Sequence, residues 1–171
     1  MPEGYFYDMN EALHPKAEKL IKDLLTPWKL KFYFWKRLLS LLFWRVKLNH
    51  LDAHRSEVSI PFTKRTQNPF RSVYFAAQAG AAEFSTGVLA VSAIEGRAKV
   101  SMLVTGMRSE FYKKADSKII FECIDGQAVY DCVTKAIESN EGQKITLISE
   151  GKLASGEVVS KFWLEWSFKV K

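Results

Sequence analysis

The sequence is poor in the residues that build disulfide-stapled, metal-binding or fibrous proteins. Two cysteines and three histidines in 171 residues cannot make a disulfide framework. Cys123 and Cys132 lie nine apart, outside zinc-knuckle spacing, and both fall on apolar faces. They read as inert free thiols in a reducing compartment. Nine glycines and five prolines exclude a collagenous or low-complexity chain, and a 47% hydrophobic share excludes disorder. No glycine-rich phosphate loop of the Rossmann or Walker type is present. A long apolar run is also missing. The greasiest segment, 28–46, carries Lys29, Lys31, Lys36, Arg37 and Arg45, which argues against a membrane span. The start, Met1-Pro-Glu-Gly-Tyr5, has neither a basic n-region nor an h-region. No secretory leader is expected, and the expected location is cytoplasmic. Without repeats or linkers, this length suits one domain with a core of its own.

What the chain does have is unevenly placed charge. Its formal net charge is +6. Residues 1–28 hold three lysines against five acids, and residues 72–171 hold twelve charges of each sign. Residues 29–71 hold ten lysines and arginines against only Asp52 and Glu57, a local +8. A field of that sign suits an anionic partner: nucleic acid, lipid headgroups or a phosphorylated small molecule. The plain alternative is a solvated basic face.

Hydrophobic periodicity divides the chain into elements. Leu13, Ala17, Leu20, Ile21, Leu24 and Leu25 predict a helix over 12–25, closed by Pro27. Residues 28–46 read as a second helix, mixing Phe32, Tyr33, Phe34 and Trp35 with Lys31, Lys36 and Arg37. Such a helix either packs on the domain with its cationic stems turned outward or lies on a membrane or partner. Val58, Ile60 and Phe62 alternate as a strand, and 66–69 is a turn. Residues 76–87 are almost wholly small, and Glu83 is the single charge between Arg71 and Glu95. A helix without a polar face is one that other elements approach on most sides. Strands are predicted over 99–108, 118–124, 143–149 and 157–170, with a helix over 126–139. Alternation in the last strand marks an antiparallel sheet with one buried face, so the fold class is α+β. His50 and His54, with Asp52 between them, have the spacing of two metal ligands on a helix. There is no third ligand nearby, and loop histidines are the simpler reading. No metal site is expected.

The run from Asn68 through Pro69, Phe70, Arg71, Tyr74, Phe75 and Ala76 to Glu83 resembles the hotdog-fold acyl-CoA thioesterases. Within that superfamily it is similar to the phenylacetyl-CoA-thioesterase-like branch and its thioesterase-like members of unknown function. In that branch a turn Asn precedes the central helix, and an acid follows fifteen positions later, the separation of Asn68 and Glu83. Gly156-Glu-Val-Val159, leading into an aromatic last strand, fits as well. The resemblance covers about residues 47–171 and leaves 1–46 as an N-terminal helical extension. It implies a curved antiparallel sheet wrapped around a long central helix, and a homodimer or homotetramer with sites between subunits.

What the resemblance implies chemically is hydrolysis of an acyl thioester, with coenzyme A as the leaving group and no other cofactor. Glu83 would be general base or nucleophile, since a carboxylate in low dielectric gains basicity. Asn68 would position water or carbonyl, and the backbone N–H groups of Phe75 and Ala76 would polarise the thioester. Ser85 and Thr86 would support the acid. Lys64, Arg65 and Arg71 would meet coenzyme A phosphates, making nucleic acid the less suitable anion. Two departures stand out: Tyr74-Phe75-Ala76 replaces the His-Gly-Gly of active relatives, and Gly87 replaces a hydroxyl found in some of them. Glu83 as a buried structural acid, paired with a cation or facing a second subunit, is the alternative for that residue. A turn-capping role is the alternative for Asn68. For the whole chain, the alternatives are an acyl-CoA or fatty-acid binding protein without turnover, and a peripheral membrane or partner-binding protein using arm 28–46.

Overall fold

His14 opens the first helix of the computed structural model, which describes residues 13–171. The first residues, on which the expected absence of a leader rests, and residue 12 of the first expected helix lie outside the described residues. His14 Nδ1 accepts from the Lys16 amide at 3.2 Å, and Pro15 stands at the first helical position, where its missing N–H costs nothing. Helix α1 (Pro15–Leu25) buries Ala17, Ile21 and Leu24. Thr26 ends it, and Pro27 starts α2 (Pro27–Arg37), which buries Leu30 and Phe34. Lys29 of α2 pairs with Asp23 of α1.

The single helix expected over 28–46 is two. At Leu38 the backbone leaves the helical region (φ −144°, ψ 61°), and the short α3 (Leu39–Phe43) follows. No proline or glycine marks this break in the sequence. In the structure Leu38 lines a cavity, Phe34 sits edge-on against Phe84 with centroids 5.0 Å apart, and Leu41 is buried beyond the bend.

Six strands form one antiparallel sheet: β1 (Lys47–Leu51), β2 (Ser56–Ile60), β3 (Val100–Phe111), β4 (Ile119–Cys123), β5 (Gln143–Lys152) and β6 (Val158–Val170). Their order is β1-β2-β4-β5-β6-β3, so β1 and β3 are the edges. Strand β1 was not expected: His50, read as a loop histidine, lies in it, while His54 lies in the bend that follows. A bulge between Leu48 and His50 sets the buried Leu48 and Leu51 three positions apart. Three is a helical spacing, and it hides the strand's period of two. Bulges at Val104/Gly106 and Gly151/Lys152 add curvature. In β6, Val159 is buried along with Phe162, Leu164, Trp166 and Phe168, although strict alternation turns it outward. On the outer face a run of ion pairs crosses the sheet from Arg55 through Glu122, Lys152 and Glu150 to Lys161.

The sheet wraps helix α4 (Phe75–Ile94), the long central helix expected of a hotdog fold. Ala77, Ala81, Ala82 and Ala90 are wholly buried, and side chains this small let the strands approach. Gly80 makes room for Trp44 and Leu41: a methyl group there would come within 2.8 Å of the Trp44 ring. Helix α5 (Gly126–Ser139) packs beside α4 and ends at Asn140 in the left-handed region, φ 56°. Ile21, Leu24, Leu30, Phe34 and Leu41 join the same core cluster as the sheet residues. No helix among the described residues is long and apolar enough to cross a membrane.

Phe34 ties α2 to α4 through its contact with Phe84. Phe34→Ala is expected to lower stability by about 3–5 kcal/mol, read as a shift of the urea midpoint with unchanged slope.

Candidate functional site

Glu83 lies about two turns into α4 and lines a cavity of about 250 Å³. The walls come from every layer: Leu20 and Leu24 of α1, Tyr33 of α2, Leu38 at the break, Met102 of β3 and Trp166 of β6. Nearly all of that lining is apolar, and Glu83 is its one carboxylate. Among the described residues, no cation lies in ion-pair range of Glu83, and no hydrogen bond reaches its carboxylate. The alternative of a cation pair is therefore absent among the described residues. Burial pushes the Glu83 carboxyl above its ordinary 4.5, because the charged form loses water and gains no partner. The Tyr33 phenol is raised too, first by burial and then by the negative charge of Glu83.

Gly87, one turn after Glu83, explains part of this isolation. A methyl group there would sit 3.6 Å from Glu83 Oε1 and 3.5 Å from the Trp166 ring. A hydroxyl at this position would have been in reach of the carboxylate; glycine leaves the space open. Thr86 faces the sheet, where its hydroxyl donates to Glu83 O (2.9 Å) and accepts from Trp166 Nε1 (3.0 Å), holding one cavity wall. Ser85 donates to Ala82 O and meets Ser149 Oγ at 2.7 Å, in the seam between α4 and β5. Thus Thr86 connects to the site through Trp166, while Ser85 holds the sheet.

Asn68 is elsewhere. Its Oδ1 accepts from the amides of Phe70 and Ser72 and from Ser72 Oγ, the geometry of an Asx-type turn. It lines a second, more open cavity of about 750 Å³ with Tyr74, Phe75, Gln78 and, from the end of β3, Phe111 and Tyr112. The helix starts here. Ala77 and Gln78 donate to Tyr74 O, whereas the amides of Phe75 and Ala76 have no acceptor among the described residues. Within one chain the structure brings Asn68 onto one cavity with Phe75, but not with Glu83. The expected phosphate cations also separate. Arg65 lies over the Phe43 ring, in a different groove with Lys31, Arg45 and Lys47. Lys64 and Arg71 are exposed, Arg71 with φ 59°, and neither lines the Asn68 cavity. Lys113 and Lys114 line it instead, with Lys113 paired to Glu157.

Sequence reasoning missed Gln78. It is 4% exposed, donates to Val73 O (3.0 Å) and leaves Oε1 without a partner among the described residues, on the Asn68 cavity. Its signal was visible as the one amide in the small-residue run. His50 bonds Asp52 at 2.8 Å, and among the described residues no group of three or more His, Cys, Asp or Glu could hold a metal. Burial raises the Cys123 thiol to about 12, which keeps it protonated and inert.

A raised folded-state pKa has a definite sign in stability. The Glu83 contribution is fully present below the unfolded carboxylate value and is lost as pH rises through the folded one. Glu83→Gln removes that loss. The variant should melt above the wild type at neutral pH, with the gap closing as pH falls below about 4.5, in paired thermal scans across pH.

No curated protein matches the chain in sequence. A Pseudomonas aeruginosa protein of unknown function, described as a probable thioesterase, superposes with TM-score 0.72 at 18% identity, covering 87% of this chain and 99% of that one. A Shewanella oneidensis protein described as a putative thioesterase gives 0.70 at 10% identity, covering 88% and 99%. A Staphylococcus aureus protein gives 0.58 at 13% identity, covering 77% and 98%. Its structures include one with a glutamate replaced by alanine and one, described as a thioesterase enzyme, with a glutamine fifteen positions earlier replaced by alanine. Residues 43–162 match the family described as Domain of unknown function (DUF4442). Because that match spans well over half of the chain, the chain belongs to this DUF4442 family, and it shares its hotdog fold with proteins described as thioesterases.

Proposed function

We propose that this protein hydrolyses an acyl-CoA-type thioester, with Glu83 as general base or nucleophile. The observation that carries the reading is a desolvated carboxylate, free of any cation partner among the described residues, on an apolar cavity. In the general-base form, Glu83 takes a proton from water as the water oxygen bonds to the thioester carbonyl carbon. The oxyanion that forms is held by the amides of Phe75 and Ala76, with Asn68 orienting water or carbonyl. The C–S bond then breaks, the proton passes to the departing sulfur, and a carboxylic acid and the free thiol of coenzyme A result. Lys114 at the Asn68 cavity, with Lys64 and Arg71 on the surface nearby, would meet the coenzyme A phosphates.

Two subunits are needed for this chemistry, and the edge strand β3 offers a way to join them. The Asn68 cavity borders the end of β3 at Phe111, and the Glu83 cavity borders its start at Met102. An antiparallel β3–β3 pairing about a two-fold axis sets the end of one strand beside the start of the other. Asn68 and the helix start of one subunit would then face Glu83 of its partner. β3 is twelve residues long, lies at the sheet edge and exposes Leu103 and Met107. Support also comes from the Staphylococcus aureus protein, whose altered glutamine and glutamate are spaced as Asn68 and Glu83 are.

A second reading, binding of an acyl-CoA or fatty acid without turnover, is favoured by one feature. The helix start is Tyr74-Phe75-Ala76 with Phe75 exposed, and no glycine eases approach to the amides. Thiol release from a panel of acyl-CoAs separates the two. Hydrolysis should fall by about 10²–10⁴-fold in Glu83→Gln and by about 10²-fold or more in Asn68→Ala. Retained turnover in both variants removes the site assignment, and calorimetric binding without turnover by the wild type supports the second reading. Light scattering tests the pairing: Leu103→Lys combined with Met107→Lys should yield a monomer that is inactive. A wild-type protein that is already monomeric would defeat the shared-site arrangement.

A further inference from the structure

The outward side of α2 is apolar, and nothing in the described structure covers it. Trp28, Phe32 and Trp35 recur at four and three positions, on the side opposite the buried Leu30 and Phe34. Their exposures are 67%, 51% and 59%. Phe32 and Trp35 stack on each other at 5.8 Å, so the stripe is a continuous aromatic surface. Beyond the break, Leu39 and Phe43 are exposed as well. An aromatic stripe of this kind, with its polar edge at water, is what the headgroup level of a bilayer accommodates.

Charge identifies what lies opposite. Residues 28–47 contain six lysines and arginines and no acid. The Lys36 ammonium sits 4.6 Å over the Phe32 ring and the Arg65 guanidinium 5.3 Å over the Phe43 ring. Next to the stripe, Lys31, Arg45, Lys47 and Arg65 surround a groove of about 560 Å³, and none of the four is in an ion pair among the described residues. Arg45 stands at φ 58° just after α3, where the Val46 amide reaches back to Leu41 O and the Arg45 amide to Leu42 O. Glycine fills that helix-ending position with less strain, so the chain keeps a cation there against its backbone preference. A second copy of this chain is a poor occupant, because a two-fold contact through this face would oppose the unpaired Lys31, Arg45, Lys47 and Arg65 to the same four cations. Anionic headgroups suit both halves of the surface: phosphates for the groove and acyl boundary for the aromatics.

We infer that α2 and the adjoining groove form a docking surface for the anionic face of a lipid bilayer. The inference stands apart from thioester hydrolysis. Tyr33 lines the Glu83 cavity from this same helix, which puts the cavity about one helix diameter, roughly 10 Å, from a docked bilayer surface.

The test uses the full chain and vesicles of phosphatidylcholine with or without phosphatidylglycerol, with bound fraction read by co-sedimentation. Binding to the anionic vesicles should exceed that to neutral ones by about tenfold or more and should weaken as salt is raised. Trp28→Ser with Trp35→Ser, and separately Arg45→Glu with Arg65→Glu, should each lose about tenfold or more while melting as the wild type does. Tryptophan emission should shift to the blue with anionic vesicles, and the first pair of changes should abolish that shift. Absence of binding to anionic vesicles overturns the inference. So does unchanged binding by the tryptophan variant, since the stripe would then take no part in docking; if vesicles fail to bind while calorimetry with inorganic phosphate shows heat, the groove is a site for free phosphate only. A fall in molar mass of the tryptophan variant by light scattering also overturns it, since the stripe would then be covered by a second copy.

Discussion

A twenty-residue helix can be enclosed by a sheet only where the side chains between them are small, and the rest of this molecule depends on that condition. Helix α4 meets it with buried alanines and with Gly87, which faces Trp166 of β6. Close approach excludes water, and exclusion of water sets the chemistry of anything polar left on the helix. Serine at position 85 is tolerated because Ala82 O and Ser149 satisfy it; Thr86 is tolerated because Glu83 O and Trp166 do. The same small residues leave a gap at Gly87, and Glu83 looks into it.

The N-terminal helices complete this arrangement rather than decorate it. Without α1 and α2, the Glu83 side of α4 would lose Leu20, Leu24 and Tyr33 from its surroundings, and the carboxylate would be more nearly hydrated. The raised basicity of Glu83 is therefore a property of the extension as much as of the central helix. Helix α2 faces two ways: Leu30 and Phe34 bind it to the core, while Trp28, Phe32 and Trp35 remain outside. The burial of two large side chains is enough to seat a helix of eleven residues. That frees the opposite side from any packing duty.

Much of this was legible in the sequence, for reasons that differ by element. The central helix could be read because small residues without a polar side have few other uses, and β4 and β6 because their alternation is regular, in β6 from Ser160 onward. Strand β1 was hidden by its bulge, which gives Leu48 and Leu51 a helical spacing. The break at Leu38 carries no proline or glycine, and it arises from tertiary placement of Leu38 against the cavity. Glu83 was legible as a lone charge in a small-residue run. Its lack of a cation partner was not, because the candidates in sequence were many and only packing decides among them. The separation of Arg65 from Asn68 is a matter of three positions in sequence but of two different grooves in space.

The polar groups of α4 supply the strongest physical argument for reading its two cavities together. Ser85, Thr86 and Ser92 each return a hydroxyl proton to a carbonyl three or four residues back, a local solution available to short hydroxyl side chains. Gln78 Oε1 is buried without a partner, and the Glu83 carboxylate is desolvated with no charge or hydrogen bond offsetting it among the described residues. Such groups cost stability wherever they are buried, and a purely structural helix would carry alanine at both positions. They do not fall at random along α4. Gln78 borders the cavity of Asn68 and the helix start, and Glu83 borders the apolar cavity. Unpaired polar atoms that coincide with the spaces able to hold a ligand suit the proposed thioester site, where the carbonyl, the water and the leaving sulfur would supply the contacts that the protein alone omits.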